Sequence, residues 1–367
     1  MRNKVVSLLL AVVVLLLLVT PALAEDPTGD FEVVREAAEA YLTSGKAPTI
    51  SAEALFTNLN DGDTSNDPFI VSVRAPEAYA LGHIPGAINI PYKTIATPES
   101  LAKLPTDRQI VTYCYTGHTG QIAATVLNLL GYDAINLKFG MMGWTHDDTI
   151  LATARYDINT SPDYPVQTEA NEATETYPYP VLNTGATGDF EIVRVAADTW
   201  LNTKAPSIVS AESVFQNIND GDDSNNPVIV SVRAADAYAL GHVPGAINIP
   251  WKTIADPANL AKLPPDKPIV TYCYTGHTGE VSATILGILG YDASNMKYGM
   301  MGWTHDDTVL ATARYDVNTS PDYATVAESA PTLPITGAET TLPLVVLVAG
   351  LAVIFAGGTL YARRETR

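Results

Sequence analysis

The chain contains two cysteines, Cys114 and Cys273, and both occur in the same stretch. That stretch is Val-Thr-Tyr-Cys-Tyr-Thr-Gly-His-Thr-Gly, at residues 111–120 and again at 270–279. An apolar run leads into each cysteine (109–113 and 268–272), and a segment of helical character follows (121–130 and 280–289). A strand, a glycine-containing turn and a helix in that order set the thiol over backbone N–H groups at a helix N-terminus, where negative charge is favoured. The pattern therefore predicts two nucleophilic cysteines, each held as a thiolate or as an anionic adduct. The plainer alternative is an unreactive cysteine buried at a strand end, but such a residue has no need of two glycines behind it. The candidate cradle is the run of amides from Tyr115, Thr116, Gly117, His118, Thr119 and Gly120, repeated at Tyr274, Thr275, Gly276, His277, Thr278 and Gly279. Gly117 and Gly276 are expected to turn through positive φ. His118 and His277 admit two readings: acid–base groups titrating near neutrality, or exposed loop residues with no role.

The elements that position these loops also occur twice. The offset that separates Cys114 from Cys273 also links Phe31 to Phe190, His83 to His242 and Trp144 to Trp303. A period this long means two whole domains rather than a solenoid. Their expected extents are 28–164 and 187–324, joined by a soft linker over 165–186 that is rich in Thr, Pro, Glu and Asn. Within the first repeat, Phe31, Val34, Ala38 and Tyr41 share one helical face, with Asp30 as cap, and Ser51 opens a second helix. Residues 69–73, 87–90 and 109–113 are short apolar runs suited to buried parallel strands. The fold class is α/β, and open sheets of this class carry their sites at the carboxyl ends of strands, where Cys114 falls.

Both termini read as addresses. Residues 1–24 have a positive start (Arg2, Lys4), an apolar core and an Ala-Leu-Ala exit, the pattern of an export signal peptide. Residues 341–362 are apolar enough to cross a bilayer and are followed by Arg363 and Arg364. Between the second domain and that segment, the stalk over 325–340 contains Leu333-Pro334-Ile335-Thr336-Gly337. This resembles the signal that sortases cleave, here between Thr336 and Gly337, and it implies a sortase as processing partner. The expected location is outside the cell, at the surface, anchored to the membrane or the cell wall. A formal charge of −19 argues against nucleic acid or an anionic membrane surface as a partner.

Three ordered marks then carry a family resemblance. Gly82-His83-Ile84-Pro85-Gly86-Ala87 recurs at 241–246, the cysteine loop follows in each repeat, and Gly140-Met141-Met142-Gly143-Trp144 recurs at 299–303. The chain resembles a tandem rhodanese-like protein. The resemblance implies two domains, each a five-stranded parallel sheet flanked by helices, and sulfurtransferase chemistry at Cys114 and Cys273. The implied donor is a small sulfur-containing anion such as thiosulfate or a polysulfide, and the implied acceptor is a thiol; no cofactor is implied. Two departures stand out, and the first should weaken donor binding. Thr119 and Thr278 stand where many members carry an arginine, and Ser72 and Ser231 replace the aspartate that usually pairs with the arginine ending the strand, here Arg74 and Arg233.

The remaining clusters suggest no further chemistry. His83 and His242 read as structural, and Trp144 and Trp303 as core aromatics. His146-Asp147-Asp148 offers one histidine per copy, and the Asp61–Asp67 stretch lacks the order of a calcium loop, so no metal site is expected. A Cys-x5-Arg phosphatase is disfavoured because Gly120 and Gly279 stand at the arginine position. A Cys114–Cys273 disulfide would require the two loops to face each other, which separate domains on a soft linker do not predict. The alternative to an enzyme is a non-catalytic sensor or binding module on the cell surface.

Overall fold

The computed structural model describes residues 29–328 except 152, 154 and 313. The leader over 1–24, the motif at Thr336 and Gly337 and the apolar segment over 341–362 lie outside the described residues. Among the described residues, no helix is long and apolar enough to cross a membrane.

Each repeat builds one parallel sheet. The strands of the first are β1 (Thr49–Ile50), β2 (Phe69–Ser72), β3 (Ile88–Asn89), β4 (Ile110–Tyr113) and β5 (Ala134–Leu137). Those of the second are β6 (Ile208–Val209), β7 (Val228–Ser231), β8 (Ile247–Asn248), β9 (Ile269–Tyr272) and β10 (Ala293–Met296). The spatial orders are β1-β5-β4-β2-β3 and β6-β10-β9-β7-β8, the five-stranded parallel arrangement that the resemblance implied. β4 and β9 lie in the middle and are buried along their whole length, so they read as unbroken apolar runs rather than alternating ones. Each ends one residue before a cysteine, which delivers the thiol to the carboxyl edge of the sheet.

The helix expected at the start of the first repeat spans Asp30–Thr43, but Asp30 does not cap it. Gly29 holds the cap position, and the Asp30 carboxylate accepts the backbone N–H and hydroxyl of Thr184, each at 2.6 Å. The helix opened by Ser51 spans Ala52–Leu59, and the Ser51 hydroxyl accepts the Ala54 N–H at 3.1 Å.

The two repeats share their parts. Tyr164, at the end of the first repeat, stacks on Phe215 of the second with ring centroids 3.9 Å apart, and lies edge-on to Trp303. Its N–H donates to the Trp303 carbonyl, and the Trp303 indole donates to the carbonyl of Pro165 at 2.9 Å. Tyr323, at the end of the second repeat, does the same on the first: it stacks on Phe56 at 3.9 Å, edge-on to Trp144, whose indole donates to Ala324 at 3.1 Å. Each repeat is thus closed by the tail of the other.

The segment expected as a soft linker lies along the second repeat. Gln167 pairs with His242, and the Tyr177 N–H donates to Ala261. A single apolar cluster includes Cys114, Ile122 and Val126 together with Cys273, Val281, Ile285 and Trp200, so the repeats are halves of one core. Tyr323→Ala, which removes a stacked, half-buried ring from this exchange, is expected to lower the stability of the whole molecule by about 2 kcal/mol. Denaturant unfolding checks it; loss of the first repeat alone, with the second unaffected, would show that the halves are independent.

Candidate active site

After β4 the chain turns through Cys114 to Gly117 and enters the helix His118–Leu129; after β9 it turns through Cys273 to Gly276 and enters His277–Ile288. Gly117 and Gly276 have φ of 90° and 89°, the left-handed turn expected of them. The Gly117 N–H donates to Cys114 Sγ at 3.2 Å and the Gly276 N–H to Cys273 Sγ at 3.1 Å. Each sulfur therefore sits against the amide preceding a helix of three turns, in the field of its N-terminus. Both thiols are buried, each 3% exposed, and unpaired.

The floor of each loop is tied down by main-chain bonds. The Cys114 carbonyl accepts the Met141 N–H at 2.9 Å, and the Tyr115 carbonyl accepts that of Met142 at 2.8 Å. The Gly-Met-Met-Gly-Trp mark is thus the support under the cysteine loop, with equivalent bonds from Met300 and Met301. A Cβ on Gly140 would lie 2.4 Å from the Cys114 carbonyl oxygen, which accounts for glycine there.

The two loops face each other. The His118 and His277 rings are nearly parallel, with centroids 5.9 Å apart. His118 Nε2 accepts the N–H of Tyr298 from the other repeat at 3.2 Å, and His277 Nε2 accepts that of Phe139 at 3.1 Å. With Nε2 accepting, the proton sits on Nδ1, which donates to Thr116 at 3.1 Å in one loop and to Thr275 at 3.0 Å in the other. Burial pulls His118 down to about 3, and the Lys297 charge adds to this; burial, His118 and Lys138 hold His277 well below 6.5. Both are neutral clasps between the repeats, not exposed loop residues. A Cβ on Gly117 would come within 2.6 Å of His277 Nε2, and one on Gly276 equally close to His118 Nε2. The loop glycines thus admit the opposite histidine as well as turning the chain.

Other residues at the site carried no motif in the sequence. Asn136 donates to the Gly117 carbonyl and Asn295 to that of Gly276, each at 3.0 Å. Asn295 also donates to Glu280 at 2.9 Å, whereas the first repeat has Gln121 at the position of Glu280. Burial pushes the Glu280 carboxyl up to about 8, against the opposing pull of Asn295. In the unfolded chain this proton is lost above the ordinary value of 4.5; in the folded chain it is kept until about 8, so stability falls as pH rises through that window. Glu280→Gln, which copies the first repeat, is expected to add about 1–3 kcal/mol at pH 8 and almost nothing at pH 4.5. Unfolding free energy measured at the two pH values checks this, and an equal change at both contradicts it.

Lys138 and Lys297 follow β5 and β10. Their ammonium groups lie 3.1 Å from Thr312 Oγ1 and 3.5 Å from Thr153 Oγ1, each a residue of the other repeat. Burial pulls both below the ordinary lysine value, and thiolate charge opposes it, that of Cys273 on Lys138 and that of Cys114 on Lys297. Arg74, without the usual aspartate, is buried with its Nε donating to Ser72 Oγ at 3.2 Å and Nη2 to the Gly82 carbonyl at 2.6 Å, and it faces the Tyr115 ring at 5.5 Å. Arg233 repeats this arrangement with Ser231 and Gly241.

The sequence features outside the loops fall in structural roles. His83 stacks on Tyr79, with Nδ1 2.9 Å from the Tyr79 carbonyl. The His146 ring Nε2 lies 3.1 Å from the Ser320 carbonyl, and the His146 backbone N–H donates to Asp322 Oδ1 at 2.8 Å, fastening the exchanged tail. Asp61 and Asp63 accept backbone N–H groups within their own turn.

The rhodanese-like domain family matches residues 51–147 and 210–306, together more than half of the chain. The chain belongs to that family and carries its domain twice. It is 37% identical over 83 residues to the "Probable adenylyltransferase/sulfurtransferase MoeZ" of Mycobacterium tuberculosis, covering 22% of this chain and 21% of that protein. It is 33% identical over 96 residues to a sulfurtransferase of Allochromatium vinosum, covering 26% of this chain and 85% of that protein. A solved rhodanese-like domain protein from Staphylococcus aureus is 29% identical, with a TM-score of 0.25, covering 28% of this chain and 94% of that one. The chain spans about a fifth of the length of the first of these relatives.

Proposed function

We propose that the protein is a sulfurtransferase that moves sulfane sulfur through persulfides on Cys114 and Cys273. The thiolate attacks the outer sulfur of thiosulfate, or a sulfur of a polysulfide. The S–S bond of the donor breaks, and sulfite or the shortened polysulfide leaves with the electron pair. An acceptor thiolate then attacks the terminal sulfur of the persulfide, takes it away and returns the cysteine as a thiolate. The observation that carries this reading is the N–H of Gly117 or Gly276 held on each sulfur at a helix N-terminus, in a chain of the rhodanese-like family. Export, release of the tail between Thr336 and Gly337 by a sortase and display at the cell surface complete the proposal, supported by the sequence of residues 1–24 and 333–367.

Turnover with thiosulfate and with polysulfide, using a small thiol as acceptor, tests the activity. Release of sulfite or transfer of sulfur that saturates with donor supports it, and no turnover with either donor overturns it. The burial of both thiols favours a second reading, a surface sensor or binding module that has kept the fold without the transfer. Under that reading, replacing both cysteines leaves the protein's binding intact.

A further inference from the structure

The loop that follows Cys114 lacks a cation of its own, since Thr119 stands at the position where an arginine is usual, and Thr278 repeats the omission. The other repeat brings one to each loop. Tyr298, whose N–H docks on His118, is preceded by Lys297; Phe139, whose N–H docks on His277, is preceded by Lys138. The same clasp that joins the repeats therefore places each lysine next in sequence to a residue held by the opposite loop. Both ammonium groups are half-buried, over the rings of Tyr298 (4.9 Å) and Phe139 (5.2 Å), and reach across the interface to Thr153 and Thr312.

Among the described residues, neither ammonium has a carboxylate within ion-pair distance. A half-buried cation with no fixed counter-ion is costly unless an anion is to be met there. Lys138 and Phe139 also line a cleft of about 260 Å³ between the repeats, which Glu53, Arg314, Tyr315 and Asp316 line as well and which includes neither cysteine loop.

We propose that each cysteine is served in trans: Lys297 of the second repeat is the anion-binding residue for Cys114 and its donor, and Lys138 of the first repeat is that residue for Cys273. This assignment rests on the sulfur-transfer reading for its substrate, but not for its geometry. The other titratable groups around Cys114 are Tyr115, Tyr298, His118 and Arg74; around Cys273 they are Tyr274, His277, Arg233 and Glu280. Tyr298 stands where the other site has Phe139, so Cys114 has a phenol from the opposite repeat and Cys273 does not.

The test uses full-length protein with one cysteine at a time, Cys273→Ser or Cys114→Ser, each combined with Lys297→Met or Lys138→Met. Two readouts are taken: thiolate absorbance against pH, which needs no donor, and the rate at which thiosulfate loads the remaining cysteine. Lys297→Met should move the Cys114 titration midpoint up by about one pH unit and slow its loading roughly tenfold, and Lys138→Met should do the same to Cys273. In each case the cysteine of the lysine's own repeat keeps its midpoint, which also reports that the variant is folded. Lys297→Arg should restore the Cys114 midpoint. A lysine that moves the cysteine of its own repeat, or neither one, overturns the assignment. Crossed titrations without loading by thiosulfate or polysulfide would retain the trans lysines and remove the sulfur-transfer reading; loading with uncrossed titrations would do the reverse.

Discussion

Replacing Cys114 and Cys273 together by serine is expected to abolish sulfur transfer, a loss of roughly a thousandfold or more, while leaving the unfolding transition nearly unchanged. Serine is close to cysteine in volume, and each sulfur accepts a backbone N–H, from Gly117 or Gly276, which a hydroxyl can also accept. The single variants separate the sites. The Cys114 site has Tyr298 from the opposite repeat and Gln121 in its helix, and the Cys273 site has Phe139 and Glu280, so the two are not copies in their electrostatics. Steady-state transfer by each single variant should therefore differ, with their sum accounting for the parent protein. Undiminished transfer by the double variant would remove the cysteines from the mechanism.

The second large effect is acid sensitivity. His118 and His277 are neutral in the folded chain, and both depend on an unprotonated Nε2 to accept an N–H from the other repeat. Below 6.5 the unfolded chain takes up protons on these rings while the folded chain does not, until about 3 for His118. The unfolded state then binds more protons, so stability falls with pH by about 1.4 kcal/mol per unit for each histidine. From pH 6.5 to 5 His118 should cost roughly 2 kcal/mol, and His277 adds to it in the same direction. Glu280 acts with the opposite sign, losing stability as pH rises from 4.5 to about 8, so these three groups together place the optimum near 6.5. Chemical unfolding as a function of pH checks this, with His118→Gln/His277→Gln as the comparison. The variant should start less stable and show a flatter acid limb; an acid limb as steep as the parent's would mean that the clasp does not titrate.

Much of this architecture is legible in the chain, and the reason is local. The strand, turn and helix around each cysteine follow one another without interruption, so an apolar run, a glycine and a helical segment were enough to place the thiol and the left-handed turn at Gly117. The five parallel strands came through resemblance more than periodicity: β1 and β6 are two residues long, too short to show any pattern.

The relation between the repeats was not legible, and duplication itself is the cause. Tyr164 and Tyr323 are equivalent, as are Trp144 and Trp303, so the sequence reads the same whether each tyrosine packs on its own repeat or on the other. In the folded chain they cross. That crossing turns a supposed linker into part of the core and brings the cysteine loops face to face. The lysines were invisible for the same reason. Lys138 and Lys297 lie far from their own cysteines in sequence and act, as proposed here, on the cysteine of the other half.

The most direct test of the central claim is mass spectrometry of the two loop cysteines in the folded, full-length protein after exposure to thiosulfate and to polysulfide. The account predicts one added sulfur on Cys114 and on Cys273, removed by a thiol acceptor. Both thiols left unmodified by either donor, while an alkylating reagent still labels them in the unfolded chain, would contradict it.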